Sequence, residues 1–305
     1  MKQTFRIGCA GWAIPAAQRQ DFGEGDSVLA RYATRFDAVE INSSFYRTHA
    51  PAVYARWAAS VPATFRFAVK LPRTMTHDAR LVGVSTLLSA FVDQSSALGG
   101  KLGALLVQLP PSLIWHKAQA GTFFRMLRRR HAGRVACEPR HGSWFTADAS
   151  SMLAHYGIAR VAADPPVAAQ GDAPGGSTDW QYWRLHGSPR MYYSGYAEEA
   201  LRALQRHLAA WPASAERWCI FDNTAHGQAV PNACGCGTRC RDGPGAARGA
   251  RREAGLPGGS SGRIGSCLRR ASALDAIAGR VAETPAGAIE CTASRCGLAK
   301  DSASR

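Results

Sequence analysis

Along most of the chain, short runs of nearly unbroken apolar residues alternate with longer stretches in which apolar residues return every three or four positions. The short runs are Phe5–Cys9, Ala38–Ile41, Phe65–Val69, Ala104–Gln108, Arg134–Glu138, Ile158–Ala163, Tyr182–His186 and Trp218–Phe221. A strand covered on both faces has no polar side to show, so these runs predict buried parallel strands. Between most of them the spacing is helical. Val28, Leu29, Tyr32, Ala33 and Phe36 follow a 3.6-residue period behind Ser27, an N-cap candidate. Val84, Leu87, Leu88, Phe91 and Val92 do the same and stop at Gly99–Gly100. Phe123, Phe124 and Leu127 oppose Arg125, Arg128 and Arg129, read as a solvated face. Met152, Leu153 and Tyr156 stop at Gly157, and Leu201, Leu204, Leu208 and Trp211 stop before Pro212. Pro165 to Thr178 is rich in Pro, Gly and Ala and reads as a loop where a sixth helix would stand.

Eight strands with intervening helices predict a TIM-type (β/α)8 barrel, irregular around the sixth helix and with the eighth helix incomplete. A doubly wound open sheet is the alternative. It would usually carry a Gly-rich phosphate-binding first turn, and Gly8-Cys9-Ala10-Gly11-Trp12 lacks that spacing.

Composition changes near Ala233. Every aromatic residue and all nine histidines precede it, whereas six of the nine cysteines follow it. The sequence therefore divides into a body, residues 1–233, and a basic tail, residues 234–305, typified by GLPGGSSGR. A stretch without one aromatic cannot bury much surface, and GC-rich codons read out of frame give such residues, so an out-of-frame or disordered low-complexity tail is expected. Cys234, Cys236 and Cys240 lack the paired spacing and histidines of a zinc site, so no metal is assigned. The formal net charge is +15, and the body alone, with 25 Lys and Arg against 16 Asp and Glu, keeps +9. That excess favours anionic partners. No run reaches the roughly 20 apolar residues of a membrane span. The N-terminus lacks a signal-type apolar region, so a cytoplasmic protein with reduced thiols and no membrane partner is expected.

Chemistry-bearing residues gather where the strands end. The second strand ends in Glu40 and Asn42, with Tyr46 beyond, and the third in Lys70, followed by Arg73 and His77. The fourth ends in Gln108, the fifth in Glu138 and Arg140, and the sixth in Asp164. The seventh carries Arg184 and His186, and the eighth leads into Asp222 and Asn223. Residues two apart on a strand share a face, so Glu40/Asn42, Glu138/Arg140 and Arg184/His186 are each expected to point together. One such residue reads as a cap or an ion pair. The set, converging on the mouth of a barrel, reads as a site.

The same segments resemble the YecE-like family, a domain-of-unknown-function (72) family of TIM-type barrels. The matching stretches are GCAGW at 8–12, FDAVEINSSFYR at 36–47, FRFAVKLPRTMTHDARL at 65–81 and GGKLGALLVQLPPSL at 99–113. EPRHGSWF at 138–145, YWRLHGS at 182–188 and FDNTAHGQAVPNA at 221–233 complete the series. The resemblance implies the barrel and brings no established activity. Two departures stand out. Pro139 occupies a position between Glu138 and Arg140 where the family usually has an aromatic, and CGCGTRC replaces the leucine-rich turns of the last helix.

Three functional classes fit these residues. The first is an enzyme, a hydrolase or an isomerase or lyase, acting on a small anionic or phosphorylated substrate. Lys70, Arg73, Arg140 and Arg184 would bind the anion, with His77, Asn42, Tyr46, Asp164 and Asn223 around it. Glu138 and His186 would be the acid–base pair, a buried Glu being raised toward neutrality, with Glu40 a further carboxylate. The second is a nucleic-acid-binding or phosphodiester-cleaving barrel that stacks bases on Tyr46, Trp144, Tyr192 and Tyr193. The third is a non-catalytic ligand-binding protein. Cys9, Cys137 and Cys219 read as small core residues, and no cofactor is assigned.

Overall fold

The computed structural model describes residues 5–209 and 216–236. The strands are β1 (Phe5–Cys9), β2 (Ala38–Ile41), β3 (Arg66–Lys70), β4 (Leu102–Gln108), β5 (Val135–Glu138), β6 (Ile158–Arg160), β7 (Ala162–Asp164), β8 (Gly175–Gly176), β9 (Trp180–Leu185) and β10 (Glu216–Phe221). The helices are α1 (Val28–Tyr32), α2 (Pro51–Ala59), α3 (Ser85–Ser96), α4 (Lys117–Arg130), α5 (Ala147–His155), α6 (Glu198–Ala209) and α7 (Ala229–Cys236). No helix among the described residues is long and apolar enough to cross a membrane.

The result is a mixed α/β fold with parallel sheets. One sheet runs β2-β3-β4-β5-β6-β8, and the other runs β1-β10-β9-β7. Every pairing is parallel except β6 with the two-residue β8. Neighbours follow chain order, without the reversal at mid-sheet that a doubly wound sheet requires. Ala10 bridges Glu40 in parallel, joining the edges of β1 and β2. At the other edge the expected sixth strand is split. Val161 donates back to Cys137 O (2.8 Å), and from Ala162 onward the chain pairs with β9 instead.

The uniform burial of the strands conceals two faces. Val39, Ile41, Phe67, Val69, Leu105, Val107, Val135, Cys137, Trp183, Leu185, Cys219 and Phe221 pack with the helices in one large core. The alternate positions form a second cluster of Ala38, Ala68, Ala104, Leu106, Ala136, Ala159, Trp180, Tyr182, Trp218 and Ile220. The small alanines leave room that three large rings fill, with Tyr182 stacked on Trp218 at 5.9 Å. Gly103 is required here, because a Cβ on it would stand 2.5 Å from the Trp218 ring.

Most helices follow the sequence pattern. Ser27 caps α1 by accepting from Ala30 N (3.1 Å). In α3, Leu88, Phe91 and Val92 are buried, and in α4, Phe123, Phe124 and Leu127. Arg128 departs from the solvated face expected of it, since its guanidinium donates to Tyr156 O (2.6 Å) and Gly157 O (2.7 Å). The helix α2 has no counterpart in the periodicity reading, because Tyr54 is its one fully buried residue and alanines dominate the rest. The loop expected near the sixth helix is present, with β8 inside it. The last described helix, α7, runs past Ala233 and buries Cys236, so the compositional break falls within a helix. Trp211 and Pro212, and residues 237–305 of the tail, lie outside the described residues.

Candidate functional site

Five strands of the alanine-lined face end in a charge one step further on: Ala38 leads to Glu40, Ala68 to Lys70, Ala136 to Glu138, Tyr182 to Arg184 and Ile220 to Asp222, while Leu106 on β4 leads to the uncharged Gln108. The two-residue period therefore carries five ionisable groups out of one apolar layer onto one level, and His186 follows Arg184 by the same step.

Arg184 is the hub and is fully buried. It grips Glu40 with two nitrogens, Nη2 to Oε1 at 2.7 Å and Nε to Oε2 at 3.1 Å. It also donates to Glu138 Oε2 (2.5 Å) and Asp222 Oδ2 (2.8 Å). Tyr182 Oη donates to Glu40 Oε2 (2.9 Å). The His186 ring lies between two carboxylates, with Nε2 2.7 Å from Glu138 Oε1 and Nδ1 3.1 Å from Asp222 Oδ2. Arg140 Nη1 donates to Glu138 Oε1 (3.0 Å), so Pro139 does not turn Arg140 away.

Burial alone would raise the Glu138 carboxyl, but the charges of Arg184 and His186 and the His186 hydrogen bond hold it well below the usual range. The expectation of a Glu138 raised toward neutrality is thus overturned. Asp222 is also lowered: burial opposes ionisation, and Arg184 and His186 outweigh it. Burial would lower His186, yet Glu138 and Asp222 raise it above 6.5. A neutral imidazole would present a lone pair to one carboxylate, so the charged form suits both contacts.

Lys70 is different. It is 6 % exposed and has no ion-pair partner among the described residues. Its Nζ stands 4.1 Å from the centroid of the Phe45 ring. Burial, and next the charge of Arg184, push its amine from 10.5 down to about 8, although Glu40, Asp222 and Glu138 act the other way. Ser44 holds Phe45 in place, its Oγ lying 2.6 Å from Lys70 O and 2.9 Å from Ile41 O.

The remaining sequence candidates are spread around this cluster. His77 packs its ring on Phe45 at 4.9 Å, and burial and then Lys70 lower it. Arg73 is exposed and pairs with Asp78 at 3.1 Å, outside the cluster. Asn42 opens the 3-10 turn Ser43–Phe45 with φ −89° and ψ −20°, so the strand alternation ends before it and it does not join Glu40. Tyr46 is 80 % exposed. Half-buried Asp164 is raised by burial, with His186 acting to lower it. Asn223 is buried and donates to Ser194 O (2.9 Å) and Asn232 Oδ1 (2.8 Å), a scaffold role. Trp144, expected to be exposed, is buried and donates to Leu113 O (2.8 Å). The sequence places Asp222 at a strand end without assigning it a role, and it does not single out Tyr182, although each sits two residues from a neighbour on the same face.

The segment after β9 folds over the cluster. Tyr192 turns its ring edge-on to His186 at 5.5 Å. Gly187, with φ 95°, permits this turn, since a Cβ there would meet Ser194 O at 2.5 Å. Beside the cluster a cleft of about 590 Å3 opens at the carboxyl ends of β1 and β10, lined by Cys9, Gly11, Ile14, Thr224, His226 and Val230 among others. It borders the Asp222 turn but takes none of the ionic side chains in its wall. Burial pushes the Cys9 thiol up to about 12, which keeps it protonated.

Fold and site together define an α/β protein whose parallel strands deliver a buried ionic cluster to their carboxyl ends. The family described as "Protein of unknown function DUF72" matches residues 6–247, and the chain belongs to this family. It is similar to UPF0759 protein YecE of Escherichia coli (strain K12), 32 % identical over 117 residues, covering 36 % of this chain and 42 % of YecE. It is also similar to UPF0759 protein YunF of Bacillus subtilis (strain 168), 26 % identical over 182 residues, covering 55 % of this chain and 63 % of YunF. The matched stretches thus span less than two thirds of either relative. Among solved structures, a DUF72 family protein from Enterococcus faecalis V583 superposes with a TM-score of 0.64 at 19 % identity, covering 76 % of this chain and 94 % of that one. A DUF72 family protein from Thermotoga maritima MSB8 gives 0.62 at 23 % identity, covering 76 % and 97 %.

Proposed function

We propose that the chain is a TIM-type barrel enzyme of the cytoplasm that carries out acid–base chemistry on a small anionic substrate at the carboxyl ends of its strands. The sequential strand order, the Ala10–Glu40 bridge and the change of partner at Val161 support closure into a barrel. The observation that carries the function is Lys70. In a cluster where Glu40, Glu138 and Asp222 are committed to Arg184, Arg140 and His186, Lys70 is a desolvated cation without a counter-ion among the described residues. A ligand anion supplies it. Arg140, with one nitrogen on Glu138 and another on the Met191 sulfur (3.4 Å), is the second contact for that anion. Arg184 is occupied and serves as a brace. His186 is the group that holds and yields a proton, in place of Glu138.

Phosphate and sulfate test this. At ten times its dissociation constant, either anion adds roughly 1.4 kcal/mol to the parent protein. Lys70→Met and Arg140→Met should lose most of that gain, as read from thermal melts with and without the anion. Equal stabilisation of parent and variants would place the anion elsewhere.

One observation favours a second reading. Tyr46 is 80 % exposed, and the Arg190 guanidinium lies 4.0 Å from the ring centroid of Tyr193, itself 37 % exposed. Aromatics beside cations suit a nucleic-acid strand, and binding by this route would weaken steeply with salt.

A further inference from the structure

Only one of the groups in the cluster is equipped to attack. Arg184 cannot lose its proton, Glu40, Glu138 and Asp222 are each bound by donors, and both nitrogens of His186 are engaged. Lys70 meets the Phe45 ring, has no ion-pair partner among the described residues, and is 6 % exposed. The charged groups facing it are Glu40 from β2, Glu138 from β5, Arg184 from β9 and Asp222 beyond β10, with His77 from its own following turn. An amine that is desolvated and set beside another cation is one whose neutral, nucleophilic form is accessible near neutral pH.

We propose that Lys70 is a covalent nucleophile whose amine condenses with a small aldehyde or ketone bearing an anionic group. This rests on the anion reading above and names its substrate class. The condensation is balanced without a co-reactant. Lys70–NH3+ and O=CR2 give Lys70–NH+=CR2 and H2O. A C–N bond forms, the C–O bond breaks, and two nitrogen protons leave with the oxygen as water. The iminium then draws electrons from a bond next to the former carbonyl carbon, which is the chemistry of lyases and isomerases. Burial over Phe45 shields the imine from bulk water.

The test uses the full chain and two probes, pyridoxal 5′-phosphate followed by sodium borohydride, and the smaller glyoxylate with sodium cyanoborohydride. Peptide mapping by mass spectrometry locates the reduced adduct among Lys2, Lys70, Lys101, Lys117 and Lys300. Each unit of pKa is about tenfold in neutral amine. Lys70 should therefore label at least about tenfold faster at pH 7 than Lys117, an exposed lysine paired with Asp148 at 2.6 Å. Inorganic phosphate should protect Lys70, and Lys70→Arg should abolish the fast adduct while keeping stabilisation by phosphate. Phosphate stabilisation with no adduct at Lys70 from either probe overturns the nucleophile and leaves the anion reading standing. Absence of phosphate stabilisation overturns the anion reading itself. A Lys70 adduct that phosphate does not slow also overturns the proposal.

Discussion

The two ends of the same strands carry ionic networks of opposite character. At the amino ends, Glu216 joins Arg6 (2.6 Å) and Arg134 (2.6 Å), with Asp37 3.6 Å from Arg6. Arg134 and Asp37 stay near half exposed there, at 43 % and 48 %. At the carboxyl ends, Arg184, Glu40, Glu138 and His186 are at 0–1 % exposure. Water reaches Arg134 and Asp37 and screens the rim of the first network, although Arg6 and Glu216 inside it are only 11 % and 12 % exposed. In the second, each charge is tolerable only because the others are present. The amino end closes the fold, whereas the carboxyl end is an arrangement that folding alone would not favour.

The difference is sharpest at Arg184. Replacing it by Met leaves three carboxylates buried without their shared cation, and should cost about 3–5 kcal/mol or prevent folding. Urea melts of the variant measure this, and a loss under about 1 kcal/mol would put the carboxyl-end network on a par with the screened one.

Lys70→Met should act in the opposite direction, raising stability near pH 7 by about 1–3 kcal/mol. The sign follows from linkage. The folded state gives up the Lys70 proton near 8 and the unfolded chain near 10.5, so below 8 the parent bears the full cost of a buried ammonium. As pH rises through that window the cost disappears, and the advantage of the Met variant should fade with it. Melts at pH 7 and pH 10 make the comparison. A variant less stable than the parent at pH 7 would make Lys70 part of the scaffold.

Glu216→Gln should have the smallest effect, about 1–2 kcal/mol, because a Gln keeps an oxygen that can accept from Arg6 and Trp218, and the part owed to half-exposed Arg134 should shrink in high salt. A large, salt-independent loss would erase the distinction between the two ends.

Much of this was legible in the sequence. Charged residues ending apolar runs located the cluster, and the two-residue period paired Glu138 with Arg140 and Arg184 with His186. It failed for Asn42, where the strand stops at Ile41 and the chain turns into a 3-10 helix. It also failed for protonation, because the sign of the Glu138 shift depends on Arg184 and His186, which lie 46 and 48 residues away. Helix α2 was invisible because an alanine-rich surface helix with one buried side chain has little periodicity to detect. Arg128 looked solvated because nothing local announces that distant carbonyls will receive it. What local pattern encodes is which face a residue joins; what it omits is which distant partner will be there.

Glu40 belongs by its backbone to one sheet and by its side chain to the other, where Arg184 and Tyr182 meet it. The contact with Arg184 closes a separation of 144 residues. Bringing such distant positions together carries a loop-closure cost that early local structure does not offset. The cluster is therefore expected to assemble late, with the docking of β9. Dehydrating Glu40 and Glu138 together is then expected to belong to the completion of the fold rather than to its nucleation.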